Sequence, residues 1–352
     1  MKGFMKKAAA VFMTAAMAAT AFTGCSKSAS GKGANTMFTT LKEAAEVEKA
    51  DVEVNVDVNY AGTKAELKIT GTKDGKATSC GVSATVAGMT FELDNLMVYT
   101  DDVIYINYAE IMDEFSTYLS AAGVDPSSFG IESDWLSLEM KGAFDTSDVF
   151  SDDIAKALDT AFADIIDKDG STYSIKLSDK DSVQAFIDSA VKLLEDNKDM
   201  WVNEILDKYN NAGLEDSLNS LVDQLADALV KNGVDQSVID ELKSEVSEGL
   251  DTAESEMTKD DLVEAIDEMV DELKSAEVED IDGRVKYSVS KEKDVYTQSI
   301  DINVKSDEGD LVMSCTTTVT PNKKASVEVP SDAESIVDII AAVLVGYMAA
   351  FE

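Results

Sequence analysis

Histidine is absent from the 352 residues, and arginine occurs once, as Arg284. Without imidazole there is no Ser-His-Asp or Cys-His catalysis, no histidine-ligated zinc and no acid–base switch near neutral pH. One arginine cannot build a multi-arginine anion clamp. Cysteine occurs three times, and a thiol nucleophile here would lack its histidine partner. No glycine-rich phosphate loop is present, and no apolar run reaches the ~20 residues a membrane-spanning helix needs. Basic residues number 30 against 69 acidic ones, a formal charge of −39. That excess repels phosphate backbones and sets nucleic acid aside as a partner.

What remains is a chain with 45 % hydrophobic residues, ample for a packed core. It opens with Lys2, Lys6 and Lys7, an apolar stretch from Ala8 to Ala21, and Thr23-Gly24-Cys25. A positive start, a short apolar core and small residues before a cut describe an export signal over 1–24. Phe22-Thr23-Gly24-Cys25 resembles a bacterial lipobox, with Phe22 where leucine is usual. That resemblance implies acylation of Cys25 and anchoring to the outer face of a bacterial cell membrane. The alternative is cleavage after Ala18 or Ala21, which would leave Cys25 a free thiol. Ser26 to Asn35 is small and polar, and residues 25–36 read as a flexible tether. Removing the signal leaves 27 basic and 69 acidic residues, or −42 over 328 residues. A domain so negative should stand off an anionic membrane.

From 37 to 352 the pattern predicts one α+β domain. Met37 to Ala50 reads as a short helix. Val52, Val54, Val56, Val58 and Tyr60 then alternate with polar residues, the period of a strand with one buried face. Ala65-Leu67-Ile69, Cys80-Val82-Ala84-Val86, Met89-Phe91-Leu93, 96–100 and 103–108 continue it. Turns at Ala61-Gly62, Asp74-Gly75, Ala87-Gly88 and Asp101-Asp102 make 51–108 an antiparallel meander. Ala109 to Ala122 reads as helix and Trp135 to Met140 as a strand.

Helical spacing governs 145–280, interrupted by a strand at Tyr173, Ile175 and Leu177. Three stripes, Leu214 to Leu229, Val238 to Leu250 and Leu262 to Leu273, are packing faces. Strand alternation returns after Gly283, through Val285–Val289, Tyr296–Val304, Leu311–Val319 and Val327–Val329. Neither β portion has another partner for its apolar face, so the two are expected to share one curved, half-barrel-like antiparallel sheet. A helical insertion at about 178–280 should pack against it. Ile339 to Phe351 is apolar almost all round, which predicts an enclosed terminal helix, either sealing the core or occupying a cavity against the sheet.

Candidate chemistry is sparse. Cys80 and Cys315 lie on the apolar side of their strands, either as buried thiols or as a disulfide joining the two β portions. Asp167–Gly170, Asp280–Gly283 and Asp307–Asp310 look like cation loops, but none continues into spaced ligands and a terminal glutamate, so turn chemistry accounts for them. No cofactor, no metal and no catalytic residue is expected.

Lipobox, polar tether, short helix, antiparallel meander, helical block, further strands and Val-Glu-Val-Pro before a last helix form an order similar to that of LolA/LppX-like lipid-carrier lipoproteins. The resemblance is one of architecture. It implies a curved sheet closed by helices, with acyl chains held in the hollow between them. Three readings stay open. One is a membrane-tethered, non-catalytic module binding a lipid or other apolar ligand, lined by residues such as Val54, Val56, Leu67, Val82, Phe91, Tyr296 and Ile302. Another is a surface interaction or structural protein using the helical block to contact a partner. The third is a carboxylate-based hydrolase, which would need paired acids with raised pKa values in a cleft.

Overall fold

The computed structural model describes residues 36–349 apart from 76, 124, 126–129, 141–150, 212–213, 242, 245–257, 279–281 and 306–308. The export signal, Cys25 and the spacer Ser26–Asn35 lie outside the described residues, as do Val246, Leu250, Phe351 and parts of two of the proposed cation loops.

Helix α1 (Met37–Ala45) leads into a meander of β1 (Lys49–Tyr60), β2 (Thr63–Asp74), β3 (Ala77–Val86), β4 (Met89–Thr100) and β5 (Val103–Asn107). Then come α2 (Tyr108–Glu114), α3 (Ser116–Ala121), β6 (Trp135–Glu139), α4 (Asp152–Ala161), β7 (Asp167–Asp169) and β8 (Thr172–Leu177). Between β8 and the next strand lie α5 (Lys180–Asp196), α6 (Lys198–Asn211), α7 (Leu214–Lys231) and α8 (Lys259–Ser275). The chain ends with β9 (Gly283–Glu292), β10 (Val295–Val304), β11 (Leu311–Pro321), β12 (Glu334–Ser335) and α9 (Ile336–Ala349).

All the strands join one 12-stranded sheet in the order β12-β6-β5-β4-β3-β2-β1-β11-β10-β9-β8-β7. The fold is therefore α+β, with a curved, unclosed sheet that is antiparallel except where β12 meets β6. The two β portions meet through β1 and β11, paired without a break from Ala50↔Pro321 to Tyr60↔Leu311. Their hydrophobic periods match across that seam: Val52 opposes Val319, Val56 opposes Cys315 and Val58 opposes Met313. A one-residue slip would send every valine to the wet face, so burial fixes the register. At two hairpin tips Ala61-Gly62 and Ala87-Gly88 take positive φ at both central positions. That is the twist a two-residue hairpin needs, free for glycine and strained for alanine.

Opposed residues share a face, so the pairings sort the sheet into two surfaces. The inner face carries Val54-Ile69-Val82 and Val56-Leu67-Ala84-Phe91 across β1–β4, and Cys315-Ile300-Tyr287-Ile175 across β11–β8. The outer face carries Asp51, Glu53, Asn55 and Asp57 beside Thr72, Thr70, Lys68 and Glu66. Ser288 and Ser299, paired across β9 and β10, share an outer-face hydrogen bond of 2.7 Å.

Over β8–β10 the inner face is sealed. Met37 and Phe38 of α1, Ile154 and Leu158 of α4, and Leu193 of α5 pack on Ile175, Tyr287, Val289, Ile300 and Ile302. Phe38, Phe162 and Phe186 form a run of tilted rings 5.9 and 5.3 Å apart, knitting α1 to α5. Thr36 makes no side-chain cap at the start of α1. Asp159 of α4 does that work from outside, accepting from the Phe38 and Thr39 amides at 3.0 and 3.2 Å and from the Thr36 and Thr39 hydroxyls.

Two expectations change and one alternative falls away. Asp167-Lys168-Asp169, read as a turn, is the exposed edge strand β7, turning at Gly170, and its charges blunt a free sheet edge. Among the described residues helix α9 is not enclosed. Val337 and Ala341 pack against Ala226, Leu229 and Ile239, yet Ile340, Leu344 and Val343 are exposed, the last at 64 %. The described neighbours of the helix lie on one side. Cys80 and Cys315 are free thiols, not a disulfide. Two strands, β2 and β1, stand between theirs, a separation of ~14 Å at ~4.8 Å per strand, well beyond the reach of an S–S bridge.

Candidate functional site

The seven residues expected to line a ligand all fall on the inner face, because each is in register with the valines of β1. Burial then separates them. Ile302 sits in the sealed core at 2 % exposure and is closed to any ligand. Tyr296 packs on Ala50, Val52 and Val319, with the Lys291 ammonium 4.7 Å above its ring. Val54 is buried, whereas Val56, Leu67, Val82 and Phe91 are only half-buried.

The difference follows from where helices lie. Helix-on-sheet packing falls on β4, β6 and β8–β10, and no described helix lies along β1, β2 or β3. Val56, Val58, Ala65, Leu67, Ile69, Val82 and Ala84 therefore form a half-open apolar trough, bounded on one side by the core under α1. On the other side stand α2 and α3, where Phe91 stacks on Phe115 at 5.5 Å and meets the tilted ring of Tyr118 at 6.1 Å. At the hairpin tips Tyr60, Val86 and Met89 are exposed, as is Tyr118 of α3. Glu110 and Glu114 of α2 stand where a neighbouring strand would, accepting from the amides of Asn95 and Glu92 on the edge of β4. Beyond the stretch Met97–Tyr99, which pairs with β5, this edge is held by side chains.

The enclosed side is close-packed beside α1. Between α1 and the sheet the void beside Leu41, Ala44, Gln298 and Thr317 measures about 10 Å³, the size of one water molecule. The Gln298 Nε2 is buried there without a hydrogen-bond partner among the described residues. An acyl chain has no space in that position.

Nucleophile and metal chemistry are thin. Burial pushes both the Cys80 and Cys315 thiols up, so neither is an activated thiolate. Burial raises the Tyr287 phenol far above its usual range. The carboxyls of Glu53, Asp74, Asp179, Asp235 and Asp261 are all held below their usual range, chiefly by hydrogen bonds. Among the described residues no group of three or more carboxylates and thiols could hold a metal ion. No helix among them is long and apolar enough to cross a membrane. Comparison with family models, with curated proteins and with solved structures returned no match.

Proposed function

We propose that this chain is a membrane-tethered, non-catalytic binding module that lays one acyl chain of a lipid along the open half of its inner sheet face. One observation carries the reading. The trough floor, Val56, Val58, Ala65, Leu67, Ile69 and Ala84, is contiguous, free of charge and free of hydrogen-bonding side chains in a protein of charge −39. Such a floor takes a ligand whose body is equally apolar, and each methylene removed from water contributes ~0.8 kcal/mol. Acylated Cys25 would keep the domain beside its ligand's source, and the ten-residue spacer Ser26–Asn35 reaches at most roughly 35 Å. The resemblance to LolA/LppX-like carriers points the same way. The trough differs from their enclosed hollow in being open along one side.

The test is binding of a fluorescent polyene fatty acid to the chain starting at Ser26, beside native mass spectrometry for co-purified lipid. Leu67→Asp should abolish the fluorescence gain, and Val343→Asp on α9 should leave it intact. Equal binding by wild type and Leu67→Asp, or loss only in Val343→Asp, overturns the reading.

A further inference from the structure

The apolar trough runs out to one end of the sheet. On the inner face Val58 opposes Ala65, Ala65 opposes Val86 and Val86 opposes Met89, so its floor continues to the tips of the β1–β2 and β3–β4 hairpins. There Val86 is 43 % and Met89 52 % exposed, and Tyr118 of α3, ring to ring with Phe91, is 53 % exposed. Both tips project: a Cβ added at Gly62 or Gly88 would meet nothing within 4 Å. A bulge aims the second one. Between Val82↔Leu93 and Cys80↔Met97, β3 contributes Gly81 alone and β4 contributes Asp94, Asn95 and Leu96. The Asp94 backbone crosses so close that a Cβ on Gly81 would stand 2.2 Å from its carbonyl oxygen. The extra residues bend β4 and re-aim the hairpin beyond them.

Three features select what these tips meet. The first is strain: Ala61 and Ala87 hold φ at 49° and 51°, where asparagine or aspartate would be both more relaxed and more soluble. An apolar residue kept in a strained, projecting turn points to an apolar destination. The second is charge. Residues 60–64 and 86–90 hold one lysine and no acid, in a chain with 69 acids. The carbonyl of Asp310 accepts from the Ala61 amide, and that neighbouring acid disfavours an anionic surface. The third is where the tether joins. The Lys73 ammonium donates to the Ala45 carbonyl at 3.0 Å, which holds the end of α1 at the Lys49 end of β1, away from the tips. The helix begins on the tip side, where Met37 and Phe38 share a cluster with Ile302, Val304 and Leu311. The spacer Ser26–Asn35, at most roughly 35 Å, exceeds the ~27 Å from Val52 to Tyr60, so acylated Cys25 reaches the level of the tips.

We infer that the two hairpin tips, together with Tyr118, are the edge by which the domain docks on a zwitterionic lipid surface, setting the open end of the trough against it. The inference rests on the lipid-binding reading above for the choice of a lipid partner.

Flotation of the chain starting at Ser26, which lacks the acylated cysteine, with phosphatidylcholine vesicles tests the edge. Weak partition is expected, lowered about tenfold or more by Val86→Ser with Met89→Ser, since each methylene kept from water is worth roughly fourfold. Ile340→Ser with Val343→Ser, an equal change on exposed α9, should leave partition within about twofold. No flotation of the wild type, or equal loss in both pairs, overturns the inference. So does tighter binding to phosphatidylglycerol vesicles, or a dimer in sedimentation that the tip pair dissolves, which would make a second copy the occupant. Binding of the polyene fatty acid in solution should be unchanged in the tip pair. Polyene binding without flotation defeats the docking edge alone; flotation without polyene binding defeats the trough alone.

Discussion

The inner face of the sheet has two halves with the same sequence pattern and different fates. Over β8–β10, Ile175, Tyr287, Val289, Ile300 and Ile302 are at most 5 % exposed, covered by α1, α4 and α5. Over β1–β3 the equivalent alternation in Val56, Leu67 and Ala84 leaves half-buried side chains. Alternation thus determines which way a side chain points, while burial depends on whether a helix is delivered above it. The helices come from two places: α1 precedes the meander, and α4 and α5 flank β8. All of them land on the far half. The near half keeps only α2 and α3 at its margin, where Phe91 meets Phe115 and Tyr118.

The sharpest way to break this contrast is to empty each half in turn. Phe38→Ala, in the sealed half at 1 % exposure, should cost about 3–5 kcal/mol, read as a fall in the urea midpoint. Leu67→Ala, on the open half, should cost under about 1.5 kcal/mol, because less surface is lost from burial and water fills the space. Similar costs at both positions would mean that the near half is also covered. Next in size is the clamp that holds α1 over the sealed half. Asp159→Ala removes the acceptor for the Phe38 and Thr39 amides and should lower stability by ~1–2 kcal/mol. Amide exchange should then quicken in α1 and not in β1–β4.

The smallest effect belongs to the outer side of the open half. The Lys68 ammonium, with Asn55, holds the Glu53 carboxyl below its usual range. A depressed carboxylate pKa stabilises the fold above the unfolded-state value, and that gain disappears as pH falls through the folded one. Glu53→Gln should therefore cost well under ~1 kcal/mol at neutral pH, the pair being solvent-exposed, and nothing once Glu53 is protonated in both states. A penalty that persists in acid would point to packing instead of charge.

Much of this arrangement is legible in the residues. Val52 to Tyr60, Ala65 to Ile69 and Tyr296 to Val304 declare strands with one apolar face, and Ala61-Gly62 and Ala87-Gly88 mark their reversals. The sharing of one sheet by both β portions followed from the need to bury two apolar faces, and β1 pairs with β11 accordingly. Less legible was accessibility: Ile302 and Leu67 carry the same pattern, and only the placement of α1 and α4 distinguishes them. Gly81 inside a strand was the available signal for the bulge, since glycine there marks a close backbone approach. β7 was hidden because Asp167-Lys168-Asp169 has turn composition, although its backbone pairs with Thr172–Ser174 and the Lys168 ammonium donates to the Tyr173 hydroxyl.

The order of residues alone determined the absence of imidazole chemistry, the strongly negative charge, the strand and helix periods and the face each strand turns inward. Those properties are local or compositional. Which half of the inner face is dry, where β4 bulges against Gly81, and that Ile340, Val343 and Leu344 of α9 face outward were decided by tertiary structure. Each depends on what another segment, distant in the chain, supplies or withholds at that point in space.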